Sequence, residues 1–294
     1  MKKKLHIKRL NHTVFFSTVL LKIIVFTVVF TCLSTKAFAH GDLTKQILKK
    51  TEEISKSPNN FELYYQRGLL YQQHIEYPKA MEDYLKSQAL GNTDSVLQYR
   101  IAELNYLSED YNKALSSITV YLDIIPTDVK AKKLEAQILF HLKSYQESLS
   151  AYQYVIEHME DIRPEDILEF TDIILAENND NYAEAIETIE VGLDKLGSNT
   201  IALQLKKLEY LKESDDIEKA LQQYDYFIVE YKRKEFWYYK KANYLVEQNR
   251  TEEANIALKQ AAIAIDQLDA KFKKMESIIE LEDKIKHLEN SLNN

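Results

Sequence analysis

From Asp42 onward, apolar positions recur at steps of three and four, as in Leu63, Tyr64, Gly68 and Tyr71. That is the period of a helix with one buried face. The strict apolar–polar alternation of a half-buried strand is absent, so the spacing predicts a succession of helices. A longer period lies over the short one. Tyr77, Tyr111 and Tyr145 are 34 residues apart, and Tyr182 follows after 37. Three residues beyond each sits a small residue, Ala80, Ala114, Ser148 and Ala185, and the small series continues at Ala220 and Ala254. A fixed period of this length predicts an array of identical supersecondary units, each hiding its apolar face only by stacking on its neighbours. Pro78, Pro126 and Pro164 fall at expected turns or first helical positions, where a missing N–H costs little.

This pattern resembles the tetratricopeptide repeat family, whose unit is a first helix, a turn and a second helix. The family's loose pattern asks for an aromatic at position 4, small residues at 8, 20 and 27, large ones at 11 and 24, and Pro at 32. Residues 61–94 supply Tyr64, Gly68, Tyr71, Ala80 and Tyr84; residues 95–128 supply Ala102, Ala114, Ile118 and Pro126. Residues 129–162 supply Ala136, Leu139, Ser148 and Tyr152, with Pro164 shortly after. Residues 166–199 supply Ala185, Ile189 and Gly192 but place Ile173 where a small residue belongs. Residues 201–234 supply Leu211, Ala220 and Tyr224 but have Leu208 at the small position; residues 235–268 supply Tyr238, Ala242, Leu245, Ala254, Leu258 and Ala261. The resemblance covers roughly 61–268 and implies an all-α, right-handed superhelical solenoid of about six helix pairs between capping helices. Small residues at 8 and 20 would let paired helices approach closely, while the large side chains fill the space between turns.

The resemblance also implies a concave groove lined mainly by the first helices. Position 5 carried over residue by residue gives Tyr65, Tyr99, Lys133, Phe170, Leu205 and Tyr239, an aromatic and aliphatic ladder. Leu69 falls at position 9 of the first repeat, and Tyr106 and Phe140 at position 12 of the second and third. Some family members grip a chaperone's C-terminal carboxylate with Lys and Asn; the first repeat here carries Tyr65, Leu69 and Gln72, which does not match that clamp. The groove is expected to take an extended segment or a helix of another protein through apolar and tyrosine contacts, unless the chain's own last helix fills part of it.

The two ends read as caps. Residues 40–60 include one amphipathic helix, with Leu43, Ile47, Leu48, Thr51 and Ile54 on one side and Asp42 as N-cap. Residues 269–294 are expected to form one further helix in which Phe272, Met275 and Ile279 cover the sixth repeat. Within it Ile278, Leu281, Ile285, Leu288 and Leu292 step by three and four, which serves either as a cap or as a short dimerising coiled-coil seam.

Residues 1–39 have the order of a secretory signal: a basic stretch to Lys22, a mostly apolar run from Ile23 to Leu33, and a small-x-small triplet at Ala37–Ala39. Cleavage is expected between Ala39 and His40, which makes the chain an exported, periplasmic protein. An uncleaved anchor over Val14–Leu33 would carry Lys22 inside the membrane, and a lipid-modified Cys32 would lack small residues before it. Cleavage also changes the electrostatics. Residues 1–39 carry seven Lys/Arg and no acid, so the remainder holds 31 basic and 46 acidic residues, a net charge of −15. Such a chain is opposed to nucleic acid and to anionic membrane surfaces.

Candidate chemistry is sparse. With one Cys and five Gly the chain carries no thiolate metal site, disulfide framework or glycine-rich phosphate cradle. The seven His include no HxxxH or HxH pair, and no GxSxG motif is present. Glu177–Asn181 faintly resembles a calcium loop but lacks the turn Gly and terminal Glu, and reads as a long interhelix turn. His40 at a new N-terminus could chelate copper only with a second His in space. No catalytic residue, cofactor or small-molecule substrate is expected. The predicted role is a non-catalytic scaffold or assembly factor of a bacterial envelope whose partner is another exported or envelope protein. A structural homodimer, or an accessory subunit of an envelope enzyme, stands as the alternative.

Overall fold

A computed structural model describes residues 42–292, and every regular element among them is a helix. The predicted signal, its cleavage site and His40 lie outside the described residues. Residues 42–56 form α1. Six successive helix pairs follow: α2 (Phe61–Gln73) and α3 (Tyr77–Ala89), α4 (Ser95–Leu107) and α5 (Tyr111–Ile124), α6 (Val129–His141) and α7 (Tyr145–His158). Then come α8 (Pro164–Glu177) and α9 (Tyr182–Leu196), α10 (Ile201–Glu213) and α11 (Ile217–Glu230), α12 (Lys234–Glu247) and α13 (Thr251–Asp266), with α14 (Ala270–Lys273) and α15 (Glu276–Leu292) last. Ala80, Ala114, Ser148, Ala185, Ala220 and Ala254, the small series read from the sequence, are all fully buried. The chain divides into two compact units, one through Ile138 and one from Leu139, within α6.

In the first unit α2 and α3 approach closely at Gly68. A methyl group on Gly68 would lie 2.5 Å from Cε1 of Tyr84, a side chain with no exposed surface, so only glycine fits. The Tyr84 hydroxyl donates to Gln72 Oε1 at 2.7 Å. Arg67 reaches from α2 to α3 and donates Nε and Nη2 to the two oxygens of buried Asp83, both at 2.7 Å. Its Nη1 donates to Thr51 Oγ1 of α1, tying the N-terminal helix to the first pair. Starts are capped by short acceptors: Asn60 receives the N–H of Glu62, and Asp94 that of Val96.

In the second unit, Tyr152 of α7 stacks on Phe170 of α8 at 5.6 Å with ring planes 8° apart. Gly192 of α9 admits Ile167 and Leu203, whose side-chain carbons would stand within about 3.0 Å of an added methyl. Phe227 of α11 stacks on Trp237 of α12 at 4.0 Å.

The turns inside the pairs repeat a backbone feature that side-chain pattern did not reveal. Ile75, Glu109, Lys143, Asp215 and Asn249 all adopt the left-handed region, with φ between 54° and 64°. The turn between α8 and α9 departs from this rule. It holds residues 178–181, one more than its counterparts, and α8 begins at Pro164, two residues before the 166 inferred from Tyr182. Asp166 anchors that early start, its Oδ2 accepting the Arg163 N–H at 2.7 Å. Two of the three residues that lengthen the Tyr145–Tyr182 step therefore lie in α8 and in the turn after it, one in each. Thr171, fully buried and bonded to the Tyr210 hydroxyl at 3.0 Å, occupies the close-packed position that the sequence register gave to Ile173.

The C-terminal end also differs from expectation. The expected single helix is broken into α14 and α15 around Lys274–Met275. Met275 and Ile279 stay 42% and 50% exposed, while Ile278, Leu281 and Ile285 are buried in the core that α13 contributes to through Leu258, Ala261 and Ile265. The residues read as a possible coiled-coil seam thus pack as the intramolecular cap.

Candidate partner groove

Most of the ladder residues of the first unit are drawn into contacts within that unit. The Tyr65 ring lies 5.9 Å from Tyr84, and Leu69 packs on the Ala80, Tyr84 and Leu97 cluster. Tyr99 sits 5.4 Å from Tyr121, with the Arg100 guanidinium over its ring. Arg100 Nη1 donates to Glu103 Oε2 at 2.6 Å, and Gln72 Nε2 donates to the same oxygen at 3.2 Å. Gln72 accepts in turn from Tyr84, so one chain of polar groups crosses from α3 through α2 to α4. Burial and the neighbouring Glu103 carboxylate hold the Tyr99 phenol well above the usual tyrosine range. Tyr121 is pushed up to about 12 by burial and by its hydrogen bond to Asp128. Tyr106 pairs edge-on with Tyr111 at 5.9 Å, and Lys133 is half-buried on α6. The first-unit ladder is thus a half-buried surface of aromatic rings and paired charges that contact one another.

The second unit is different. Phe140 lies against Tyr145 at 5.8 Å. Phe170 is only 5% exposed, stacked beneath Tyr152, and presents no groove surface. The two-residue displacement of α8 explains this, because it turns Leu168, Asp172 and Leu175 outward in place of Phe170 and Ile174. Leu205, by contrast, is 42% exposed and lies at the mouth of an open cleft of about 320 Å³. Leu208, Glu209 and Lys212 of α10 line the same cleft, faced by Trp237 and Lys240 of α12, with Tyr224 of α11 behind them. Trp237 is held by its stack on Phe227, and the Lys240 ammonium stands 4.3 Å from the Trp237 ring centroid. Tyr224 is pushed up to about 12, first by burial and then by Glu247 and Tyr244. Tyr239 is half-buried on α12, its carbonyl accepting from Asn243 Nδ2 at 2.9 Å. Trp237 and Lys240 were absent from the sequence-derived ladder because they sit two residues before and five after positions 5 and 1 of their repeat, on the flank facing α10. The only Trp in the chain was the available signal.

Among the described residues no group of three or more His, Cys, Asp or Glu is placed to hold a metal ion. No described helix is long and apolar enough to cross a membrane.

Comparison with known proteins agrees with this architecture. No family model matches the chain. A curated TPR repeat-containing protein of Methanocaldococcus jannaschii is 27% identical over 175 residues, 60% of this chain. The match spans 30% of that relative, under a third of its length. A tetratricopeptide repeat protein from Parabacteroides merdae superimposes with a TM-score of 0.51 at 15% identity, covering 86% of this chain and 93% of that one. YrrB, described as a TPR protein with an unusual peptide-binding site, matches with a TM-score of 0.50 at 18% identity, over 61% of this chain and 90% of its own. The chain has the tetratricopeptide-repeat fold, and its sequence is related to that of a tetratricopeptide-repeat protein.

Proposed function

We propose that this chain is a non-catalytic protein-interaction scaffold whose partner docks in the cleft between α10 and α12. The observation that carries this reading is the cleft itself: a solvent-open apolar surface at Leu205, backed by buried Leu208, beside a Trp fixed by stacking. Rigid aromatic anchors beside aliphatic pockets are where binding energy concentrates in protein interfaces. The peptide-binding description of YrrB, a structural neighbour, is consistent with such a role. The signal-like order of residues 1–39 supports an exported protein acting in a bacterial envelope, with another exported or envelope protein as partner. The homodimer alternative draws no support from α15, whose apolar seam is buried on its own chain.

The test is quantitative affinity isolation of the tagged chain from its own cells. Leu205→Asp combined with Trp237→Ala should remove a stoichiometric partner that the Tyr65→Phe and Tyr99→Phe variants retain. Equal recovery of that partner by both sets of variants would defeat the reading.

A further inference from the structure

The first residue of each second helix follows a rule that the sixth repeat breaks. Tyr77, Tyr111, Tyr145, Tyr182 and Ile217 stand there in turn, all half-buried. Each of them packs. Tyr111 lies on Tyr106, Tyr145 on Phe140 and Tyr182 on Tyr210, while Tyr77 and Ile217 rest against the cores of their units. Thr251 holds that place in α13. It is exposed, and its hydroxyl makes no hydrogen bond among the described residues. No side chain caps this helix start, so Thr251 serves neither packing nor capping. Two residues earlier, Asn249 is exposed at the tip of the turn, and its side chain is likewise unbonded among the described residues. Its left-handed backbone does not call for Asn, since Ile75, Glu109, Lys143 and Asp215 adopt the same conformation. Between the two, the Arg250 guanidinium is engaged by Glu253 and Glu218.

Asn249-Arg250-Thr251 is an Asn-x-Ser/Thr triplet, the acceptor sequence for N-linked glycans on surface turns of exported proteins. Resting on the export reading above, we propose that Asn249 is a glycosylation site, filled after the chain leaves the cytoplasm. The co-substrate is an oligosaccharide carried on a lipid diphosphate. The Asn249 carboxamide nitrogen bonds to the anomeric carbon of the sugar. The bond from that carbon to the phosphate oxygen breaks, and the lipid diphosphate leaves with the electron pair. The amide gives up one proton. Thr251 is the positioning residue, its hydroxyl free for the transferring enzyme to read. The turn can carry the bulk because neither side chain holds anything else in place. The chain's other such triplet, Asn11-His12-Thr13, lies within residues 1–39, so cleavage leaves one acceptor in the mature protein.

The experiment is intact-mass and peptide-fragmentation mass spectrometry of the tagged full chain purified from its own cells, with its N-terminus sequenced alongside. The mature chain should exceed its sequence mass by a whole number of monosaccharide units, with the increment on Asn249. Asn249→Gln and Thr251→Ala should each lose the increment entirely, and Thr251→Ser should keep it. Helical content and thermal unfolding should be unchanged in all three, because the substituted side chains are exposed and unbonded. A chain that begins at His40 but carries Asn249 only in its unmodified form would overturn the proposal and leave the export reading standing. An increment that survives Asn249→Gln or Thr251→Ala would overturn it as well. A chain that keeps residues 1–39, stays in the cytoplasmic fraction and is unmodified would remove the export reading and the glycosylation site together.

Discussion

The two units apply one repeat plan to opposite ends. In the first, the outward positions of the first helices are closed by their own neighbours: Tyr65 on Tyr84, Tyr99 on Tyr121, and Arg100, Glu103 and Gln72 in one polar chain. In the second, the same kind of position leaves Leu205 exposed beside Trp237 and Lys240. The difference follows from residue choice at a few sites. Gly68 lets Tyr84 reach through to Gln72 in the first unit. Leu208 stands at the equivalent position of the fifth repeat and lines the cleft. Aromatic content alone therefore does not set the two surfaces apart, since Trp237 is itself stacked on Phe227; the exposed Leu205 beside it does.

The comparison breaks most readily at Tyr84. Tyr84→Ala removes a fully buried ring and leaves Gln72 without its donor, which should cost about 3–5 kcal/mol in urea unfolding. A loss below about 1 kcal/mol would show that the first unit is not closed around this ring. Arg67→Met leaves the buried Asp83 carboxylate unpaired and should cost about 3 kcal/mol by the same measurement. Gly68→Ala and Gly192→Ala probe the close helix approaches of the two units. Each should cost about 1–3 kcal/mol, because Tyr84 and the β-branched Ile167 have little room to yield. The smallest effect lies in the turns. Ile75 is β-branched, 66% exposed and left-handed, whereas Asn249 has the same backbone with a residue that tolerates it. Ile75→Asn should stabilise by about 1 kcal/mol, and Asn249→Ile should destabilise by a similar amount.

Alkaline titration sharpens the picture for both units. Tyr121 in the first and Tyr224 in the second have folded-state values of about 12, against 10.0 for an ordinary phenol. The neutral phenol is the form favoured by folding, so its contribution is complete below pH 10 and is lost as pH rises towards 12. Both units should loosen within that window, with spectroscopic ionisation of these tyrosines coincident with loss of helical signal.

Much of the fold was legible because the repeat is written in two easily read series. The tyrosines at 77, 111 and 145 marked the second helices, and the small residues three beyond them are all fully buried. The fourth repeat was misread because Tyr182 fixes only its second helix; one additional residue lies in α8 and one in the turn, and no side-chain pattern distinguishes that from a longer linker. Phe170 was consequently placed in the groove when Leu168 and Asp172 face outward. The broken C-terminal helix was missed because Phe272, Met275 and Ile279 follow a helical period although the chain turns at Lys274–Met275. The polar chain through Gln72, Arg100 and Glu103 joins residues about thirty positions apart, and no local spacing announces it.

Site-specific photocrosslinking in the chain's own cells tests the contrast between the units most directly. A photoreactive side chain placed at position 205 or 240 should yield adducts to one and the same protein, while the same side chain at 65 or 99 should give only background. Discrete adducts from 65 and 99, with none from 205 or 240, would contradict the account and move the binding surface to the first unit.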